Sequence, residues 1–142
     1  MIRIVITSLI FCQISFVSLA HAVDIVTVPE MMFMAAEELF EKRFEDPKNA
    51  LTAAQMCRKL ARSEEDNYTR KEYSQKEGEF ITFYLNYLIT QGEEQTFCRL
   101  YEETKVLNQP YDAVRELYIY SPYSETQDNL KRVYQYASEQ CR

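Results

Sequence analysis

The sequence predicts an all-α protein: a small helical domain of about five helices, stabilised by a disulfide, following a leader that is removed. Three observations carry that reading. Apolar residues recur at the i, i+3, i+4 spacing of helices that bury one face. Glycine is nearly absent, Gly78 and Gly92 being the only two, while the good helix formers Glu, Gln, Lys, Ala and Leu are abundant. A sandwich of short strands needs more turn residues than that. The four prolines fall where helices begin or stop, not inside the apolar stripes.

The leader occupies residues 1–22. Arg3 opens it, an apolar stretch follows over residues 4–19, and Ala20-His21-Ala22 has the small-x-small form of a cleavage site. Cys12 follows Phe11 instead of the small residue a lipoprotein signal requires, so it belongs to the leader. Residues 23–142 then form one domain, periplasmic or secreted. No later apolar run reaches the ~20 residues of a membrane span. The densest, residues 80–89, is broken by Thr82 and Asn86.

The first helix follows Thr27, with Pro29 in its first turn. Its stripe is Met32, Ala36, Phe40 and Phe44, widened by Phe33 and Leu39. Asp46-Pro47 restarts the chain as a cap followed by a first-turn proline. Ala50, Ala54, Cys57 and Ala61 line the second helix, flanked by Leu51 and Leu60, which fades into a polar connector over residues 62–67. The third helix spans residues 70–91 with Tyr73, Phe80, Tyr84 and Leu88 inward, and Gly92 ends it. Gly78 inside it marks a bend or a close crossing. Residues 92–96 read as a loop before Cys98. The fourth helix starts near Pro110 and stops by Ser121, since Pro122 cannot continue it; its apolar face is Tyr111, Val114, Leu117 and Tyr118. Ser124-x-x-Gln127 has the form of a capping box for the fifth, whose stripe is Leu130, Val133, Tyr134, Ala137 and Cys141.

The formal charge is −6. Phosphate binding needs clustered Lys and Arg, so nucleic acid is excluded as a partner, whereas a basic protein is compatible. His21 is the only histidine, so the exported domain has none: it lacks the usual general base and the commonest metal ligand. No C-x-x-C occurs. The pairs Glu37-Glu38, Glu64-Glu65, Glu93-Glu94 and Glu102-Glu103 are not a hydrolytic dyad, because adjacent helical residues point about 100° apart. Arg58 and Lys59 beside Cys57 would lower its thiol pKa, but the stripe places Cys57 in the core. No catalytic role, metal or cofactor is expected.

What remains is a binding protein. Of eleven tyrosines, Tyr111, Tyr118, Tyr120 and Tyr123 cluster around the fourth helix as a candidate aromatic contact surface, although tyrosine also fills small cores. Glu93-Glu94 is a candidate acidic contact in the loop before Cys98. Asn67-Tyr68-Thr69 is a formal glycosylation sequon. The exported domain retains Cys57, Cys98 and Cys141. Any of three intrachain pairs is open, and the odd count leaves at least one thiol unpaired or pairing between chains.

Over residues 51–141 one order of features stands out. Leu51 and Cys57 lie on one helix and Tyr84-Leu85 on the next. Phe97-Cys98 follows, then an amphipathic stretch from Val114 to Tyr118 before Pro122, and a last helix from Leu130 to Cys141. This order resembles the periplasmic immunity proteins that neutralise type VI secretion amidase toxins, including the spacing of the last two cysteines. The chain departs from that family where Phe83-Tyr84-Leu85-Asn86-Tyr87 replaces a Gly-Tyr-x-x-Gly signature, where Arg99-Leu100 replaces prolines, and where no cysteine stands near Ile81. The resemblance implies an inhibitor that occludes the cleft of a cell-wall amidase, often as a homodimer. It makes Cys98 and Cys141 the disulfide candidates and leaves Cys57 unpaired or intermolecular. The competing expectation is a periplasmic stress chaperone or carrier of apolar ligands, which would expose apolar surface as its carboxylates protonate.

Overall fold

A computed structural model describes residues 26–142, so the expected leader and cleavage site lie outside the described residues. Those residues are all-α and form six helices: α1 (Val28–Glu41), α2 (Lys48–Ser63), α3 (Asn67–Gln91), α4 (Glu94–Glu103), α5 (Tyr111–Leu117) and α6 (Thr126–Gln140). A 3-10 turn, Lys105–Asn108, joins α4 to α5.

Local chemistry explains most of the boundaries. Thr27 caps α1 reciprocally: Glu30 N–H donates to Thr27 Oγ1 at 3.4 Å, and Thr27 N–H donates to the Glu30 carboxylate at 2.6 Å. Asp66 caps α3 by accepting from Thr69 N–H at 2.8 Å, so this helix starts three residues earlier than the polar run suggests. Gly92 ends α3 at φ 71°, a left-handed conformation that glycine takes without strain.

Several expectations are corrected. Residues 92–96 are not a loop throughout: α4 begins at Glu94 and buries Phe97 and Leu100. Phe44 is not on the α1 stripe, because the helix ends at Glu41 in a tight turn whose Lys42 carbonyl accepts from Asn49 Nδ2 at 3.1 Å. Leu117, the last residue of α5, points outward, while Val114 and Tyr118 point inward as expected; the helix stops before Ser121, as Pro122 requires. Ser124 caps nothing: Tyr123 carbonyl accepts from Thr126 N–H at 3.1 Å, and Gln127 Nε2 donates to Arg115 carbonyl at 3.2 Å.

The core is organised around α3. Six consecutive residues, Glu77 to Thr82, are all buried. A helix that packs on one side cannot bury a full turn and a half; this one is enclosed by α2, by α4 with the 3-10 turn, and by α6. Ala50, Ala53 and Ala54 let α2 approach closely. Gly78 does the same for the opposite neighbours: a Cβ there would overlap Val106 Cγ1 and come within 2.5 Å of the Tyr118 hydroxyl. Phe80 stacks on Phe40 at 4.2 Å between ring centroids. Cys98 and Cys141 form the disulfide, tying α4 to the end of α6 across 43 residues, and Cys57 is free and buried.

Two stability tests follow from this packing. Gly78→Ala should destabilise the fold by about 1–3 kcal/mol in urea denaturation, since overpacking against Val106 outweighs the better helix propensity of alanine. Replacing both Cys98 and Cys141 by serine should cost up to about 4 kcal/mol, the chain-entropy figure for a loop of this length.

Candidate functional site

Two concavities flank the N-terminal half of α3. Thr69, Glu72, Tyr73 and Lys76, at i, i+3, i+4 and i+7, line one; Arg70, Ser74 and Glu77, at i, i+4 and i+7, line the other. At about 100° per residue the two sets lie on different faces of the helix, roughly 120° apart.

The first is a groove of about 530 Å3 between α1, α3 and the α5–α6 connection. Its carboxylates are Glu30, Glu37, Glu72 and Glu79, against one cation, Lys76. Its apolar lining includes Phe33 and Tyr73, whose rings lie 5.4 Å apart, together with Tyr120 and Pro122. Glu79 is only 3% exposed. It accepts from the Ser121 hydroxyl and from Lys76 Nζ at 3.0 Å, so its buried charge is fully partnered. The Ser121 hydroxyl also accepts from Tyr123 N–H at 3.1 Å and lies 3.1 Å from Thr126 Oγ1. Three residues earlier, the Tyr118 hydroxyl donates to Gln75 carbonyl at 2.6 Å. The connection is therefore strapped to α3 at Tyr118 and at Ser121. Tyr120, between the straps, is 95% exposed.

The four tyrosines do not share one surface. Tyr118 is buried and belongs to the core, which corrects its reading as a contact residue; burial pushes its phenol well above the ordinary range. Tyr111 is half-buried, edge-on to Tyr134, whose hydroxyl donates to Gln109 carbonyl at 2.7 Å. Tyr123 packs edge-on against Phe40, and burial pushes its phenol up to about 12. Only Tyr120 is fully presented. Glu93 and Glu94 are exposed at the start of α4, beyond the far end of α3 from the groove. Cys57 is buried, and burial raises its thiol to about 12, with Glu77 adding to the effect. The adjacent Arg58 does not lower it, because its guanidinium is turned to Glu77.

The polar residues that hold the grooves in place escaped the sequence reading. Arg43 is buried between the rings of Phe40 and Phe44, each 4.4 Å from its guanidinium carbon, with Tyr123 at 4.8 Å. Its Nε donates to Glu125 at 2.7 Å and its Nη1 to Phe40 carbonyl at 3.0 Å, locking the end of α1 to the start of α6. The one sequence signal was an arginine placed within a turn of both Phe40 and Phe44. In the second concavity, Arg58 Nε donates to Glu77 at 2.5 Å, Nη1 to Glu103 at 3.3 Å and Nη2 to Thr104 Oγ1 at 3.3 Å. Burial raises the Glu77 carboxyl above its ordinary range, opposed chiefly by Arg58 and then by Arg62 and Lys105.

Among the described residues no cluster of His, Cys, Asp and Glu is arranged to hold a metal ion, and no helix is long and apolar enough to cross a membrane. The chain matches no protein-family model, no curated protein and no solved structure.

Removing Arg58 would leave Glu77 buried and unpaired. Arg58→Met should therefore cost about 3 kcal/mol or more at pH 7. A carboxyl whose folded pKa is raised gains relative stability as pH falls, because the folded state holds the proton more tightly. The deficit against wild type should shrink between pH 7 and 4.5 in paired urea titrations.

Proposed function

We propose that the protein is an exported, non-catalytic binding protein, most specifically an immunity-type inhibitor that occludes a cell-wall amidase toxin, and that it engages a basic segment of that partner in the acidic groove. One observation carries the reading: Tyr120 stands fully exposed on a strapped turn at the lip of a groove with four carboxylates and one lysine. A rigid exposed tyrosine supplies contact area at low entropy cost, as interface hot spots do. The carboxylates would steer a cationic surface toward it. Such a mechanism requires no group that changes protonation or bonding. The amidase class rests on the resemblance over residues 51–141, and the Cys98–Cys141 bridge fits both its cysteine spacing and an oxidising compartment.

A second reading, a chaperone or carrier of apolar ligands, has its own observation in the exposed Val28, Met31 and Met34 on the outer side of α1, since flexible methionines suit varied apolar clients.

The test is affinity capture at neutral pH from the exported fraction of the source cells, read by mass spectrometry. We expect one stoichiometric partner with peptidoglycan-amidase activity that the protein inhibits. Tyr120→Ala and the pair Glu37→Lys with Glu72→Lys should each weaken that complex by more than about tenfold. No partner at neutral pH, or a mixed client set appearing only on acidification, would contradict the inhibitor reading and favour the second.

A further inference from the structure

The concavity on the other face of α3 has the opposite electrostatic character. In a chain of formal charge −6, Arg58, Arg62, Arg70 and Lys105 converge on a recess of about 460 Å3 whose carboxylates are Glu77 and Glu103. Its back wall is already satisfied. Arg58 is held by Glu77, Glu103 and Thr104. Arg70 Nε and Nη2 donate to the carbonyls of Glu64 at 2.9 Å and Glu65 at 3.1 Å, fixing the corner between α2 and α3. Its front is not: among the described residues, the side chains of Arg62, Lys105 and Ser74 make no hydrogen bond or ion pair. Arg62 and Lys105 come from different elements, yet both lie close enough to act on the Glu77 carboxyl.

We propose that this recess binds an oxyanion of the phosphate class, free or as a substituent of a larger molecule, through Arg62, Lys105 and Ser74. The donor set fits. A guanidinium offers two parallel N–H groups to two oxygens of one anion, an ammonium adds a mobile point charge, and a serine hydroxyl donates to a third oxygen. The four cations exceed the two carboxylates by two, which matches a dianion better than a monoanion. Glu77 and Glu103 do not close the recess to anions, because Arg58 occupies both. The site is independent of the acidic groove and of the inhibitor reading.

The experiment is isothermal titration of the oxidised protein with inorganic phosphate at constant ionic strength, with acetate and chloride as comparisons. Saturable one-to-one binding of phosphate, preferred over acetate and absent with chloride, is expected. Arg62→Gln and Lys105→Gln should each weaken it by about tenfold, and Ser74→Ala by less. Lys131→Gln, outside the recess, should leave it unchanged. Glycerol phosphate and phosphoserine separate the two sources: tighter binding than inorganic phosphate assigns a substituent, weaker binding a free ion. Arg62, Lys105 and Lys131 are exposed, so the variants should keep the wild-type unfolding midpoint. Phosphate heats no larger than those of chloride, or equal losses in Lys131→Gln, would overturn the proposal.

Discussion

Everything in this fold depends on the enclosure of the middle of α3. Packing a helix on every side removes the solvent face where its polar residues would normally sit. Glu77 and Glu79 lie in that enclosed stretch, so each needs a partner inside the protein. Glu77 takes Arg58 from α2; Glu79 takes Lys76 one turn back and Ser121 from the α5–α6 connection. Enclosure also demands close approach. Gly78 sits between the two acids, and its missing side chain is the space that Val106 and the Tyr118 hydroxyl occupy. One short sequence, Glu77-Gly78-Glu79, thus recruits the 3-10 turn, α2 and the connection before α6.

The same stretch places the two grooves. Because its two acids point to different sides, each draws a different set of partners, and each set becomes the floor of one concavity. On the Glu79 side the partner is neutral serine with a single lysine, and the carboxylates of α1 and α3 dominate. On the Glu77 side the partner is an arginine, and further cations from α2, α3 and the 3-10 turn gather around it. An acidic chain thereby carries a basic recess. The strap at Tyr118 and Ser121 leaves the intervening residues with no core to enter, which is why Tyr120 stands in solvent.

The stripes that bury apolar residues were legible, because a helical period is a local property: Ala36 and Phe40, Ala50 and Cys57, Phe80 to Leu88, and Leu130 to Ala137 all lie where the spacing puts them. Gly92 and Pro29 were legible for the same reason. Helix ends were less so. Phe44 keeps the period after its helix has stopped, Leu117 sits in the last position of its helix, where no partner covers it, and a capping box at Ser124 is only one way to close a first turn. The helix α4 was hidden because its buried set is as small as Phe97 and Leu100 and because Gly92 and two acids precede it. The polar network was not readable. Arg43 meets Glu125, Ser121 meets Glu79, and Arg58 meets Glu103 across 82, 42 and 45 residues. No local pattern carries that information.

The most direct test of this account is native-state hydrogen exchange of the oxidised protein at neutral pH, resolved by residue. If the enclosed middle of α3 holds the structure together, the amides of residues 78–88 should exchange only through global unfolding, with the free energy measured by denaturation. Amides of residues 78–82 that exchange through local opening, while α2 and α6 stay protected, would contradict it.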